Sequence, residues 1–548
     1  MSEPVSLFAR TRKSLASFGP MPWVYLVITC ALSFRYWWFM DDAYVYLRYA
    51  DNAVFLDSGL VYNRGESVEG YSSPLWMLLW LVARWVGLQP VVVVDVACVL
   101  CVSGTIALLA RANRSLSGAG PSSHLPLAYL ATNYGVLTYF TSGMENPLVQ
   151  LVAAAYVLYV LEPRSRLAEA LVAISPLVRQ ELVVPLAVVL GFAFLSKRRW
   201  LRLALLAGVP LAAWVLFRVG YYALLVPNTY FLKDSVDLER GLIYLHNTFG
   251  TYLFAPLAAV AIVSVVVASR RKIEVHVRER VVLVLVASTS IAYVVKVGGD
   301  FFHFRYLCFP FVVLSGALGG LVERALPSLR TGRRASILWP AAGLLVSALI
   351  FLRYPPQLDH HPFFPSTTPG AVLKDGLYDA EDHRKRHDLF PGELARRVDA
   401  DKQRAYARAG RAIHEDKIAY GGWCAENYAD YDTYIVHALG LTEPTLARTA
   451  SPSSIAGHKW GLVALARDLT ALHTGEAVPN EYEVVPVVHP VGPGSVRRAV
   501  EENRAAPWIR DNLECIERIE RRTYNRHAFF ENLQLALERS CVVIVPAH

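Results

Sequence analysis

The chain has 548 residues, of which 54% are hydrophobic and 18% are charged, and its formal net charge is +8 at pH 7. Soluble globular domains carry nearer a quarter charged residues, so this balance excludes an ordinary soluble fold for most of the chain. The positive charge does not indicate nucleic-acid binding, because basic residues cluster in short loops at 197–199, 270–272 and 330–334. That clustering is typical of the cytoplasmic loops of a protein that crosses a lipid bilayer several times.

Long apolar segments alternate with short polar gaps between residues 22 and 354. Basic residues precede the first segment without a small-residue cleavage site, so we expect a retained first helix. The basic loops indicate the cytoplasmic side, and the charge pattern requires an odd number of crossings. One short segment near Pro176 is therefore expected to be partial, and we predict about 11 transmembrane helices. The candidate segments are 22–39, 74–88, 91–110, 125–140, 147–162, 168–178, 181–196, 201–222, 248–268, 281–297, 306–324 and 337–354.

The composition changes near residue 354 and predicts two domains. Residues 1–354 are expected to form an α-helical polytopic membrane domain, and residues 355–548 an extracytoplasmic soluble domain of mixed α/β structure. Within the second domain the pattern favours a helix at 394–411 and a strand at 483–488. Disulfides persist outside the cytoplasm, and we prefer the pair Cys515–Cys541 with Cys424 left over. The other cysteines lie in apolar segments and are expected to be buried small side chains: Cys30, Cys98, Cys101 and Cys308.

Two adjacent acids, Asp41 and Asp42, follow the first apolar segment. Neighbouring carboxylates repel one another, so a pair at the membrane surface favours metal binding, proton transfer or pairing with a cation. The alternative is helix capping, because Asp41 could begin a helix that runs through Tyr49. The sequence favours neither interpretation. The following loop alternates turn residues with acids and aromatics, including Glu69 and Tyr71, which suits either a sugar-binding surface or a plain structured loop.

Charged residues recur in the later gaps on the same face, at the ends of apolar segments. Glu145 lies in one such gap. Arg179 lies beside Glu181 within an apolar run, where it must be paired or face a polar cavity. It could bind a phosphate, with an ion pair that serves packing as the alternative. Lys233 and Arg305 follow at comparable depth, and arginine can hold a phosphate through two hydrogen bonds. Acids and cations on one face predict one shared site.

A family resemblance is carried by Asp41-Asp42, Gly143-Met144-Glu145, Arg179-Gln180-Glu181, Pro227-Asn228-Thr229, Lys233-Asp234, Gly241 to Leu245, Gly299-Asp300 with Arg305, Gly440-Leu441 with Pro444, and His458-Lys459. Together these elements resemble the GT-C superfamily of integral-membrane glycosyltransferases. More narrowly, they are similar to the terminal arabinofuranosyltransferases that complete mycobacterial arabinan, over nearly the whole chain. One departure is Gln180, where relatives of this type usually carry proline.

The resemblance implies an enzyme of the bacterial cell membrane. It would take a sugar, expected to be D-arabinofuranose, from a polyprenyl-phosphate donor and transfer it to an envelope glycan at the outer face. The general base is then Asp41 or Asp42, with Asp41 preferred as the first acid of the loop. The expected ligands of the donor phosphate are Arg179, Lys233, His303 and Arg305. The expected contacts to sugar or acceptor are Tyr44, Glu69, Tyr71, Glu145, Glu181, Asn228, Asp234, Asp300 and His458.

Several alternatives stay open at this stage. Asp41, Asp42 and Glu145 would suit a divalent cation, Mg²⁺ or Ca²⁺, since both ions prefer oxygen ligands. The resemblance implies retention of anomeric configuration, through a carboxylate nucleophile or front-face attack. The donor could carry another sugar, and the acceptor could be a surface protein such as pilin. A lipid or glycan transporter is the non-enzyme alternative, but it predicts inverted repeats and deeply placed ionisable residues that the sequence does not display.

Overall fold

A computed structural model of the chain describes residues 20–117, 125–233, 236–252, 254–271, 276–300, 302, 304–321, 341, 345, 417–421, 433–450, 454–455, 458–459, 462–481, 483–524, 528–538 and 540–545. Up to residue 321 the described part is helical. Its helices are α1 (Met21–Arg35), α2 (Ala43–Val54), α3 (Pro74–Trp85), α4 (Pro90–Ser117), α5 (Leu125–Ala131), α6 (Tyr134–Leu137), α7 (Asn146–Leu161), α8 (Arg166–Ala173), α9 (Ser175–Val178), α10 (Val183–Leu195), α11 (Trp200–Tyr222), α12 (Asn228–Leu232), α13 (Leu238–Thr251), α14 (Phe254–Arg270), α15 (Val277–Lys296) and α16 (Cys308–Ala317). Short 3₁₀ turns lie at Thr138–Phe140, Gln180–Leu182 and Arg305–Leu307.

Two helices in the described part of the chain are long and apolar enough to cross a membrane, namely 27 residues of α4 and the 23 residues of α11. Leu205, Val209 and Leu216 on α11 are each more than half exposed. Such a run of exposed apolar side chains is costly in water and suits contact with lipid. The helical fold class and the strand-containing C-terminal part are confirmed. The prediction of about 11 crossings is supported only for these two helices by length and composition.

Helix α7 lies in the middle of the bundle, with 14 of its 16 residues buried. Small side chains at residues 153–155 let neighbouring helices approach closely. Gly104 on α4 packs on Leu151, and Gly316 on α16 packs on Val157, each with no room for a Cβ atom unless the neighbour moves. Pro147 in the first turn suits the start of the helix, since proline has no backbone N–H to lose there. The helix therefore begins directly after Glu145.

The described C-terminal part mixes short strands with helices, as the sequence predicts. Its elements are β1 (Lys417–Gly421), β2 (Thr433–His437), α17 (Pro444–Ala447), β3 (Thr449–Ala450), β4 (Ser454–Ile455), β5 (His458–Lys459), α18 (Leu462–Thr474), β6 (Val485–Pro486), α19 (Ser495–Glu501), α20 (Pro507–Asp511), α21 (Leu513–Thr523), α22 (Phe529–Leu537) and β7 (Val543–Ile544). One sheet has the strand order β2-β1-β6, with β1 parallel to β2 and antiparallel to β6. Strand β3 pairs in parallel with β7, and β4 pairs antiparallel with β5.

A disulfide joins α21 to the segment before β7. Cys515 and Cys541 are bridged with an S–S distance of 2.12 Å, which is the predicted pair. Of the cysteines expected to be buried, Cys98, Cys101 and Cys308 are buried and Cys30 is partly exposed. The strand predicted at 483–488 is shorter than expected and corresponds to β6. The helix predicted at 394–411, the apolar segment 337–354 apart from residues 341 and 345, and Cys424 lie outside the described residues.

Polar side chains of the helical part fasten the C-terminal part through its backbone. Arg48 Nη2 donates to the carbonyl oxygen of Thr433 at 2.8 Å. The Asn63 side-chain amide bonds to the backbone of Ile435 as a neighbouring strand would: Nδ2 donates to Ile435 O and Oδ1 accepts from Ile435 N, both at 3.0 Å. Asn228 Nδ2 donates to the carbonyl oxygens of Gly440 and Leu441, also at 3.0 Å. These contacts hold β2 and the turn after it against α2, the loop that follows it and the start of α12.

Two buried acids meet at the same interface. Glu66, from the loop after α2, accepts hydrogen bonds from Asn63 Nδ2 at 3.1 Å, from Tyr524 OH at 3.0 Å and from Tyr434 OH. Glu443 caps α17 by accepting from Thr445 N at 3.0 Å. Burial raises the pKa of both carboxyls, and that of Glu443 reaches about 8 because the Glu66 charge adds to the cost of burial. At neutral pH the interface therefore retains a carboxyl proton.

Candidate functional site

Asp42 and Asp300 share one buried arginine. Arg305 Nη1 donates to Asp42 Oδ2 at 2.7 Å, and Nη2 donates to Asp300 Oδ1 at 3.1 Å while Nε donates to the other Asp300 oxygen. Asp300 is fully buried, whereas the Asp42 side chain keeps 16% exposure. Asp42 precedes α2 but makes no capping hydrogen bond. Of the two interpretations of the acid pair, the contacts of Asp42 therefore match pairing with a cation. Its neighbour Asp41 is buried, with 6% exposure.

A second arginine holds two further acids. Arg179 Nη1 donates to Glu145 Oε1 at 2.6 Å, and Nε donates to Glu181 Oε1 at 2.6 Å. Tyr46 OH donates to the other oxygen of Glu145 at 3.3 Å. Glu145 is buried, but the side chains of Arg179 and Glu181 keep 12% and 17% exposure. The second ion-pair cluster is therefore partly exposed at Arg179 and Glu181, and its arginine has the ionic partners that it needs within an apolar run.

The ring of Tyr306 connects the two clusters. The guanidinium carbons of Arg179 and Arg305 lie 4.8 Å and 5.2 Å from its centroid, and Lys233 Nζ lies 4.9 Å from it. The Lys233 ammonium also donates a hydrogen bond to the Tyr306 hydroxyl. An aromatic face attracts cations, so one ring helps to hold three positive side chains together. Arg179, Lys233 and Arg305 thus meet at one point although 126 residues separate the first from the last.

Two glycines allow the segments that carry Glu145 and Asp300 to pack closely against their neighbours. Gly143 has φ +74°, and a Cβ atom there would lie 2.4 Å from Phe39. Gly299 has φ +78°, and a Cβ atom there would lie 2.4 Å from the Tyr244 ring. Glycine is favoured at both positions because it alone combines a left-handed conformation with so close a contact. Met40 N donates to Ser142 O at 2.9 Å and links the segment of the aspartates to the segment of Glu145.

The C-terminal part contributes a histidine near Asp42. His437 ends β2, is 1% exposed, and lies edge-on to Tyr62 with ring centroids 6.3 Å apart. Burial lowers the pKa of His437 to about 4, with the Asp42 carboxylate acting in the opposite direction. The imidazole is therefore neutral at pH 7. Its Nδ1 accepts from Leu439 N at 3.3 Å, which leaves the ring proton on Nε2.

Other predicted site residues are engaged elsewhere in the fold. Glu69 forms a buried ion pair with Arg218. Tyr71 OH shares a hydrogen bond with Tyr222 OH at 3.0 Å, and Tyr44 packs edge-on against Phe39 at 4.9 Å. The Asn228 side chain uses its amide group for the C-terminal carbonyl oxygens and its Oδ1 to accept from Arg448 at 3.0 Å. These contacts stabilise the fold, and a sugar-binding role for these four residues stays a prediction.

The side chains of three predicted site residues lie outside the part of the chain that the structure describes. His303 and Asp234 lie outside the described residues, and His458 is described only through its backbone in β5. For the metal site considered from the sequence, no three His, Cys, Asp or Glu side chains within the described ranges are arranged to hold an ion. Asp42 and Glu145 instead face Arg305 and Arg179. The residues present do not fit the divalent cation site expected at Asp41, Asp42 and Glu145.

Tyr306, Tyr46 and His437 were missed from the sequence. Tyr306 follows Arg305 directly, but a tyrosine among aromatic residues at a helix start is common and carries no distinguishing signal. Tyr46 lies one helical turn after Asp42, and this spacing on α2 was the available clue. His437 comes from the other end of the chain and is brought close by tertiary contacts, among them the pairing of Asn63 with Ile435, which no local pattern specifies.

The fold and the site define a class: a mostly helical protein with helices long and apolar enough to cross a membrane, and a cluster of charged side chains where helix ends meet a strand-containing C-terminal part. The comparisons make this more specific. The chain is 30% identical over 356 residues to the terminal β-(1→2)-arabinofuranosyltransferase of Mycobacterium tuberculosis, which covers 56% of each chain. It is 28% identical over 375 residues to the protein of the same name from Corynebacterium glutamicum, which covers 56% of this chain and 53% of that one. These matches confirm the resemblance to the terminal arabinofuranosyltransferases.

The chain spans about half the length of the curated relatives it matches, so the similarity covers less of the chain than the motifs indicated. No family model matches the sequence, and no solved structure matches it.

Proposed function

We propose that this chain is a polytopic GT-C glycosyltransferase of the bacterial cell membrane. It transfers a sugar, D-arabinofuranose, from a polyprenyl-phosphate donor to an envelope glycan at the outer face. The observation that carries the proposal is the meeting of Asp42, Glu145, Arg179, Lys233 and Arg305 around one tyrosine ring. The two relatives are terminal β-(1→2)-arabinofuranosyltransferases, and this similarity supports the class of sugar and the kind of reaction.

The reaction makes and breaks one bond at the anomeric carbon. The acceptor hydroxyl oxygen forms the new glycosidic bond, and the bond from the anomeric carbon to the phosphate oxygen breaks. Polyprenyl phosphate leaves with the electron pair, and the acceptor proton passes to a carboxylate. We assign that carboxylate to Asp41, with Asp42 as the alternative. Retention through a carboxylate nucleophile would divide these duties between the pair.

The cations of the pocket have different tasks in this proposal. Both arginines are already paired with two carboxylates each. In the described part of the chain, Lys233 hydrogen-bonds to Tyr306 and has no carboxylate at ion-pair distance. Lys233 therefore has the charge that is available for the negative charge developing on the leaving phosphate. Arg179 and Arg305 hold the acids in position and offer their remaining N–H groups, and His303 joins them as a ligand predicted from the sequence.

The acceptor is expected to enter beside the C-terminal part. His437 lies close enough to Asp42 to feel its charge, and Asn63 and Asn228 hold the C-terminal part in this place. An acceptor glycan bound to the C-terminal part would thus present its hydroxyl group to Asp41. This arrangement requires the C-terminal part and the pocket to lie on the same, extracytoplasmic, side of the membrane.

The test is sugar transfer by the purified full-length protein in lipid nanodiscs. The donor is polyprenyl-phosphoryl D-arabinofuranose, the acceptor is an arabinan oligosaccharide, and mass spectrometry detects the gain of one pentose. Parallel reactions replace the donor with a polyprenyl-phosphoryl hexose, or the acceptor with a surface-protein peptide. We expect pentose transfer to the arabinan and none from the hexose donor.

Two isosteric variants identify the catalytic acid. Asp41→Asn should abolish transfer, while Asp42→Asn should leave measurable turnover with weaker donor binding, because it loosens Arg305. The exposed Glu476→Gln is the matched control for removing one negative charge. Full activity in Asp41→Asn would remove this residue from the catalytic step. The absence of transfer from every polyprenyl-phosphate sugar by the wild-type protein would refute the proposed function.

A further inference from the structure

Tyr306 has contacts that a residue serving only packing does not need. Its side chain is 8% exposed, and its backbone N donates to Tyr244 OH at 3.3 Å. The ring faces three cations within 4.8 to 5.2 Å of its centroid, and the hydroxyl accepts from one of them. Nothing in the sequence motifs or in the names of the relatives assigns a role to this residue.

The three cations depend on Tyr306 to different degrees. Arg179 is oriented by Glu145 and Glu181, and Arg305 by Asp42 and Asp300, so both guanidinium groups would keep ionic partners without the tyrosine. Lys233 follows the last residue of α12, and within the described residues its side chain contacts the ring and the hydroxyl of Tyr306. A lysine side chain is flexible, so a single neutral hydrogen-bond acceptor decides where its charge points.

We propose that Tyr306 is a positioning residue that aims the Lys233 ammonium at the leaving phosphate of the lipid-linked donor. The ligand class is a phosphodiester that joins a polyprenyl chain to a sugar. A carboxylate in the place of Tyr306 would neutralise the lysine, whereas the phenol holds it and leaves its positive charge for the phosphate. The ring face also reduces the cost of keeping three like charges close together. This inference rests on the proposed function, and it adds a residue through which Lys233 acts.

The experiment measures donor kinetics for Tyr306→Phe, Lys233→Met and the double variant in the nanodisc assay. Tyr306→Phe keeps the ring and loses the hydroxyl, so kcat/KM for the donor should fall roughly tenfold, as expected for a lost hydrogen bond to a charged group. The double variant should be no slower than Lys233→Met, because the hydroxyl has no effect once the ammonium is absent. Tyr306→Leu should be slower than Tyr306→Phe, since it also removes the ring.

Tyr156→Phe is the matched control. It also removes a buried hydroxyl, one that lies 2.8 Å from Ser175 Oγ between α7 and α9, and it should keep wild-type kinetics. If Tyr306→Phe behaves like this control, or if the two losses multiply in the double variant, the positioning role is wrong even though transfer proceeds. If the wild-type protein transfers no sugar, the proposed function fails instead. The two failures are therefore distinguishable.

Discussion

Glu443, which is buried beside Glu66 where the helical part meets the C-terminal part, makes the stability of the fold depend on pH. Glu443 is buried beside Glu66 and Arg448, and its pKa is raised from 4.5 to about 8. Between these two pH values the folded protein keeps a proton that the unfolded chain has lost. The carboxyl therefore contributes its full stabilisation below pH 4.5, and this contribution is lost as pH rises through 8. The slope within the window is about 1.4 kcal/mol per pH unit.

The perturbation is Glu443→Gln, which removes the titration and keeps an oxygen that can accept from Thr445 N. Over the interval from pH 6 to pH 8 the wild-type protein should lose about 2 kcal/mol of folding free energy that the variant does not lose. The midpoint of thermal unfolding, followed by tryptophan fluorescence in detergent, should therefore be similar for both proteins near pH 5. At pH 8 the variant should unfold at the higher temperature.

Comparing the two proteins at each pH cancels the titration of groups that do not interact with Glu443. Glu476→Gln, which alters an exposed carboxylate of the same part of the chain, should follow the wild-type curve at every pH. Parallel curves for Glu443→Gln and the wild-type protein would refute the reasoning, because they would mean that Glu443 is ionised throughout the window. A variant that is less stable than the wild-type protein at pH 8 would contradict it as well.

Three further perturbations test the contacts around the site. Asp300→Asn leaves the buried Arg305 with one carboxylate and should destabilise the protein by about 3 kcal/mol; an unchanged unfolding midpoint would count against this ion pair. Cys515 and Cys541 should resist thiol labelling of the unfolded chain until a reductant is added, and labelling of both without reductant would exclude the disulfide. Asn228→Ala removes three hydrogen bonds between the helical part and the C-terminal part, so limited proteolysis should cut the chain faster near residues 440–448. An unchanged digestion pattern would argue against the connecting role of Asn228.

The sequence predicted the ends of several long apolar helices better than it predicted which side chains of different helices are in contact. Apolar runs and polar gaps identify helix ends directly, because lipid excludes unpaired backbone and charge. The segments at 201–222 and 147–162 therefore agree closely with α11 and α7. The helix α2 was considered only as an alternative to a catalytic loop, since its apolar residues are interrupted by Arg48, Asp51 and Asn52 and its 12 residues are too few to span a bilayer.

The charges of the candidate site were predicted, but their pairing was not. Arginine beside glutamate in an apolar run is a strong signal, and Arg179 does hold Glu181. Its second partner, Glu145, lies 34 residues away, and no local pattern specifies that distance. Asn228 was expected to contact sugar or acceptor because the family resemblance implied it. Its three partners are backbone carbonyls and an arginine of the C-terminal part, and a single sequence contains no indication of such contacts.

The most direct test of the central claim is an electron cryo-microscopy structure of the protein in nanodiscs with a non-hydrolysable polyprenyl-phosphonate sugar bound. We predict that the phosphonate oxygens lie within hydrogen-bond distance of Lys233 Nζ, beside the Tyr306 ring. The anomeric carbon should face Asp41 and Asp42. A phosphonate bound at the opposite ends of the helices, remote from Lys233 and the aspartates, would contradict the assignment of this pocket as the site of sugar transfer.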